Sequence, residues 1–179
     1  MHRLLVCLAL LFLSLPRLSA TPEAAVRAYV AAVKTGGLGS VARLMHPEEL
    51  AKFQEMMKPV IELALTESEG REVFGRFSDS ADETKLRALN SEAFMTTFLE
   101  SIEALQPEIS ELLKSAEIEV LGHVKEGVVS HVVTRLRVRA RGATLEQMTV
   151  MSTRDHEGTE RLMLSGEIRQ LAEALRSQQ

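Results

Sequence analysis

The sequence predicts an α+β fold, with N-terminal helices packed on a curved four-stranded antiparallel meander and a short C-terminal helix. Three observations carry this. From Pro22 to about Ser115, apolar residues recur at helical spacing. From Glu117 to about Ser165, they alternate at strand spacing. The turns between the strands bring one apolar set onto a single face.

The first helix opens at Thr21, a capping residue, with Pro22 at the first helical position. Val26, Tyr29, Val30 and Val33 form its buried stripe, and Thr35-Gly36-Gly37 ends it. Ser40 is placed to cap a short helix, Val41 to Met45. His46-Pro47-Glu48-Glu49 starts another, its acidic pair suited to a helix N-terminus. That helix carries Leu50, Phe53, Met56 and Met57, and Pro59 kinks or restarts it. Val60, Ile61, Leu63, Ala64 and Leu65 continue an apolar face. A break at Glu67-Ser68-Glu69-Gly70 precedes Phe74 and Phe77, and Ser80-Ala81-Asp82-Glu83 matches a capping box. Leu86 and Leu89 follow. Ser91 caps a helix bearing Phe94, Met95, Phe98, Ile102 and Leu105. Pro107 opens the last turns before Lys114.

Four strands follow. Ile118, Val120 and Val124 alternate before a turn at Lys125-Glu126-Gly127. Val128 to Ala140 is a long strand, Arg141-Gly142 a tight turn, and Thr144 to Arg154 the third strand. A turn over residues 155–158 leads to Arg161 to Ser165, and Gly166 ends the meander. Folding at Arg141-Gly142 sets Val138 opposite Leu145 and Val132 opposite Met151. Folding at 155–158 sets Met151 opposite Leu162 and Thr149 opposite Leu164. Val132, Leu136, Val138, Leu145, Met151, Leu162 and Leu164 then share one face, joined by Ile118 and Val120. The helices are its only available cover. Ile168, Leu171, Ala172 and Leu175 predict the C-terminal helix over 167–176.

Residues 1–20 have the parts of a secretory signal peptide: basic Met1-His2-Arg3, an apolar run from Leu4 to Leu15, Pro16, and the small-residue site Leu18-Ser19-Ala20. The run is shorter than the ~20 residues a membrane helix needs. The expected product is one domain, residues 21–179, helical over 22–115 and sheet over 117–165, located in the periplasm or secreted. Cys7, the sole cysteine, leaves with the signal, so no disulfide or thiol chemistry is expected. Losing Arg3 and Arg17 leaves 19 Lys+Arg against 25 Asp+Glu, which argues against nucleic-acid binding. There is no Trp and a single Tyr, so a stacking platform for sugars or bases is not expected.

Helices leading into a curved meander resemble the nuclear-transport-factor-2-like superfamily, a cone-shaped α+β fold. One stretch that carries the resemblance is Val26-Arg27-Ala28-Tyr29-Val30-Ala31-Ala32-Val33-Lys34 with its Gly turn, and then Leu44-Met45-His46-Pro47-Glu48-Glu49-Leu50. It is similar to the helix, short turn, helix, His-Pro entrance of exported bacterial members. The other stretch is the meander from Gly122 to Gly166. The resemblance implies a pocket between the concave sheet face and the helices, and dimers through the outer face. It implies no single activity, because members include isomerases, cyclases, dehydratases, lipid shuttles and scaffolds.

The candidate residues fall into two groups. Tyr29, Met45, Phe94, Phe98, Thr134, Gln147 and Thr149 are placed to line a pocket, or to fill an ordinary core. Val133, Arg135, Arg137, Val150 and Met163, with Met148, Arg154 and Arg161, belong to the outer face, where Glu146 falls opposite Arg137. That set reads as a homodimer interface, a site for an anionic partner, or a solvated face. Catalytic members of the family use Asp, His or Tyr inside the cone. Tyr29 and His46 are the early residues that fit, with a core tyrosine and a junction histidine as the plainer readings. No acidic residue is expected on the apolar sheet face, which argues against acid–base catalysis. His123 and His131 are expected on the same outer face. With His156 they lack the tight spacing of a metal set, so no metal and no cofactor are expected. The leading expectation is a non-catalytic binding or scaffold module. A carrier of an apolar ligand such as a phospholipid or fatty acyl chain comes next, and a small-molecule isomerase or dehydratase third.

Overall fold

Thr21 caps the first helix: its Oγ1 accepts the Ala24 amide at 3.2 Å, and Pro22 takes the first helical position. The structure, a computed structural model, describes residues 21–66, 68, 88–140 and 143–166. The expected signal peptide, the Phe74–Phe77 stretch, the capping box at Ser80–Glu83, the Arg141-Gly142 turn and the helix over 167–176 lie outside the described residues.

Helix α1 (Pro22–Gly36) leads into a 3-10 helix, Leu38–Leu44. Helices α2 (Pro47–Ala64), α3 (Ser91–Leu105) and α4 (Pro107–Ser115) follow. The sheet is β1 (Glu117–Glu126), β2 (Val129–Ala140), β3 (Ala143–His156) and β4 (Thr159–Leu162), in the order β1-β2-β3-β4. This is the expected α+β architecture of helices followed by a meander. No helix among the described residues is long and apolar enough to cross a membrane.

The helical layer departs from expectation at three points. Ser40 does not cap the second helix: Gly37 does, and the Ser40 hydroxyl lies 2.8 Å from Ala32 O and 2.6 Å from Gly37 O. Pro59 stays inside a continuous α2, whose Leu50, Phe53, Met57 and Ile61 are buried. Asn90 caps α3 in place of Ser91, its Oδ1 accepting the Ala93 amide at 2.8 Å. Asn and Ser serve equally well as caps, so neighbouring candidates are hard to separate from sequence.

The helices meet the sheet in one apolar cluster. Val26, Met45, Phe53, Ile61, Phe94, Val132 and Leu162 pack together, with Tyr29 and Phe98 against them. Phe53 meets Phe94 and Phe98 edge to face, at centroid distances of 6.1 and 5.0 Å.

The central register is as expected, with Val138 opposite Leu145 and Val132 opposite Met151. The third hairpin is tighter than expected. Its turn is the pair Glu157-Gly158, both at positive φ, so Leu162 pairs with Thr153 rather than Met151 and β4 ends at Leu162, not Ser165. A slip of two residues keeps every side chain on its face. It also brings Asp155 and Glu160 into a pair beyond Thr153 and Leu162, so this side of the sheet is not free of acids at its tip.

Strand β1 shifts register between Val120 and Gly122, with Gly122 at φ 151. One extra residue inverts the alternation beyond it. His123, expected on the outer face with His131 but about a residue out of line, therefore pairs with Val132 on the helix side, and Val124 takes the place opposite His131.

Candidate functional site

The outer face of the sheet is built by alternation along three strands. Its rows run Glu117–Arg137–Glu146, Glu119–Arg135–Met148, Gly122–Val133–Val150 and Val124–His131–Ser152. Met163 extends the last row, its amide donating to Ser152 O at 2.9 Å. The expected outer-face set Val133, Arg135, Arg137, Val150 and Met163 is thus on one side of the sheet.

One end of this face is ionic. Arg137 Nε donates to Glu146 Oε2 at 2.9 Å, and Arg135 Nη1 to Glu119 Oε2 at 3.0 Å. Arg135 Nε also lies 3.0 Å from Glu146 Oε1, an ion pair without hydrogen-bond alignment. Arg135 and Arg137 are thus interleaved with Glu117, Glu119 and Glu146 across β1, β2 and β3. The hydrogen bond from Arg137 holds the Glu146 carboxyl below its ordinary pKa, and Glu146 in turn raises that of Arg137. Exposed pairs of this kind contribute little, so the network shapes the face more than it stabilises the fold.

The other end is apolar and open. Val124 is 65% exposed, Val150 54% and Met148 53%, with Val133 and Met163 half-buried beside them. His131 borders the patch, its Nδ1 3.0 Å from Ser152 Oγ and its Nε2 3.2 Å from Glu126 Oε2.

The expected pocket residues are dispersed. Met45, Phe94 and Thr134 are buried, while Tyr29, Phe98 and Thr149 are half-buried. Four of them, Tyr29, Met45, Phe94 and Phe98, belong to the packed core cluster. Thr134 Oγ1 bonds Thr149 O at 3.2 Å. Burial raises the Tyr29 pKa, which suits a core tyrosine better than an acid poised near neutrality. Gln147 does not reach this space. It is exposed, as are all residues 143–148.

An open cleft of about 240 Å³ lies elsewhere, between the 3-10 helix and α3, with Ser40, Arg43, Glu92, Thr96 and Glu100 on its walls. No group of three or more His, Cys, Asp or Glu with metal-binding geometry occurs among the described residues.

Four polar arrangements escape sequence reading. Glu49 is fully buried and pairs with Lys52 Nζ at 2.9 Å. Its place four residues before Phe53, on the buried side of α2, is the signal that could have found it. His123 Nδ1 lies 2.5 Å from Glu23 Oε1, at the rim between β1 and α1. Arg154, expected on the basic rim of the outer face, turns instead to the start of α2, where it meets His46 and Glu48. Arg161 likewise reaches Arg43 O at 2.6 Å.

No known family's model matches the chain, and neither the curated proteins nor the solved structures contain a match to it.

Proposed function

We propose that this chain is an exported, non-catalytic binding or scaffold module that works through the outer face of its sheet. The observation that carries the reading is the open patch of Val124, Met148 and Val150 beside a paired Arg–Glu network. Clustered exposed apolar side chains on a small domain mark interaction surfaces. The bordering arginines are already paired with glutamates, so a strongly charged partner gains little there. A second copy of the chain fits better. A two-fold interface must be self-complementary, and an apolar stripe bordered by interleaved charges of both signs satisfies this. The order of helices and meander shared with the nuclear-transport-factor-2-like superfamily points to the same face.

The packed interior supports a module rather than a carrier. Val26, Phe53, Ile61, Phe94 and Val132 are each at most 1% exposed and occupy the space between helices and sheet where a phospholipid or acyl chain would sit. The export part of the reading rests on residues 1–20. N-terminal sequencing of protein recovered from the periplasm or medium should begin near Thr21, and an intact Met1 would overturn export by cleavage.

Sedimentation velocity across a concentration series tests the surface. A reversible dimer is expected, and Val150→Glu should weaken it at least about tenfold by burying an unpaired charge. A monomer at every concentration would remove the self-association reading.

A further inference from the structure

His46 joins the helical layer to the sheet. It stands between the 3-10 helix and α2, and its amide donates to Leu162 O at 2.7 Å. The neighbouring Met45 bridges Leu162 in parallel, so this short stretch covers the free edge of β4. The whole residue is only 3% exposed.

The nitrogens of its ring face donors. Arg154 Nε lies 3.1 Å from Nε2, Arg154 Nη2 lies 2.9 Å from Nδ1, and the Glu48 amide lies 3.3 Å from Nδ1. A neutral imidazole offers one acceptor nitrogen, and an imidazolium offers none. Protonation would set N–H against N–H at every one of these contacts and bring a buried cation against a guanidinium.

The charged and titratable groups around the ring are, among the described residues, Glu48 and Glu49 on α2 and Arg154 and His156 on the β3–β4 hairpin. The His156 ring stands edge to face with His46 at 5.1 Å. Glu48 is engaged by Arg154 Nη2 at 2.5 Å. Burial, then Arg154, holds the His46 pKa below the ordinary histidine value, with His156 adding to this and the two glutamates opposing it.

We propose that His46, Arg154 and Glu48 form an acid-opened latch between the start of α2 and the β3–β4 hairpin. The sign follows from proton binding. Once the hairpin is released, His46 takes up a proton at its ordinary value near 6.5, whereas the closed latch takes it up only at lower pH. The closed state is therefore favoured fully above that ordinary value and loses ground as pH falls from it toward the lower closed-state value. Opening breaks the His46–Leu162 backbone bond and uncovers Met45, Leu162 and the β4 edge.

Hydrogen–deuterium exchange of the exported chain at about pH 7.5 and about pH 5.5, corrected for intrinsic exchange rates, tests the latch across the histidine range. Peptides covering 45–50 and 159–164 should exchange severalfold faster in acid, while those covering 117–138 should not. His46→Gln keeps an acceptor and cannot titrate, so it should abolish the difference. Independently, NMR titration of the His46 ring in the unaltered protein should give a midpoint below the ordinary value. A uniform acid response, a response retained in His46→Gln, or a His46 midpoint at or above the ordinary value would each overturn the proposal. The NMR titration decides alone should the variant not fold.

Discussion

Glu103 on α3 accepts the backbone amide of Leu38 at 3.0 Å, closing the start of the 3-10 helix from 65 residues away. The approach depends on Gly37, whose φ of 73 and ψ of −177 lie in a region open to glycine, and where a Cβ would stand 2.5 Å from Glu103 Oε2. Glu103→Ala removes the carboxylate and should cost about 1–2 kcal/mol, as for other lost caps. Gly37→Ala should cost more, about 2–3 kcal/mol, because backbone strain adds to the collision with the carboxylate. Urea denaturation of both variants checks the order. A Gly37→Ala protein as stable as the parent would show that the loop relaxes freely.

Thr153 presents the opposite case. Its side chain is fully buried opposite Leu162 and Ser130, and its Oγ1 has no hydrogen-bond partner among the described residues. An unsatisfied buried hydroxyl costs about 1–3 kcal/mol, and valine offers nearly the same shape without it. Thr153→Val should therefore raise stability by about 1 kcal/mol, read as an increase in the thermal midpoint. A loss of stability would mean that the hydroxyl finds a partner in solution.

Much of this fold was legible because its signals are local. Pro22, Pro47 and Pro107 each sit at the first position of a helix, where a missing amide costs nothing. Alternation along β2 and β3 sorts the two faces without knowledge of any contact. The failures share a different cause. A one-residue bulge near Gly122 moves His123 across the sheet, yet a glycine in a strand does not announce which residue bulges. The turn at Glu157-Gly158 requires positive φ at a glutamate, an uncommon choice, so a longer turn looked equally good. The His46–Arg154 contact spans 108 residues and exists only once β4 lies beside Met45. Alternation correctly assigned Arg154 to the outer side, but a long side chain at a sheet edge can turn toward whatever packs there.

The Arg137–Glu146 pair offers a way to separate folding from association. In an isolated chain it is an exposed cross-strand pair, with side chains 39% and 49% exposed. A double-mutant cycle with Arg137→Ala and Glu146→Ala should yield a small favourable coupling in denaturation experiments at protein concentrations low enough to keep the chain monomeric. Near a dimer interface the same pair loses solvent, and its coupling in the dimerisation free energy should exceed the folding value. Equal values would place the pair outside any interface.

The Glu23–His123 pair sets a second, independent acid response. The hydrogen bond from His123 lowers the Glu23 pKa from its ordinary 4.5, with the helix backbone adding to the effect. A depressed carboxylate contributes stability that is present above the unfolded value and is lost as pH falls through the folded one. At about pH 5, Glu23→Gln should therefore be less stable than the parent. Below about pH 4.5 the margin should shrink, because the parent's carboxyl begins to take up a proton and the variant has none to take up. The His46 latch acts at higher pH, from the ordinary histidine value downward, so a urea midpoint series at half-unit steps resolves the two. A margin between parent and Glu23→Gln that stays constant down to about pH 3 would show that the short 2.5 Å contact carries no net ionic stabilisation.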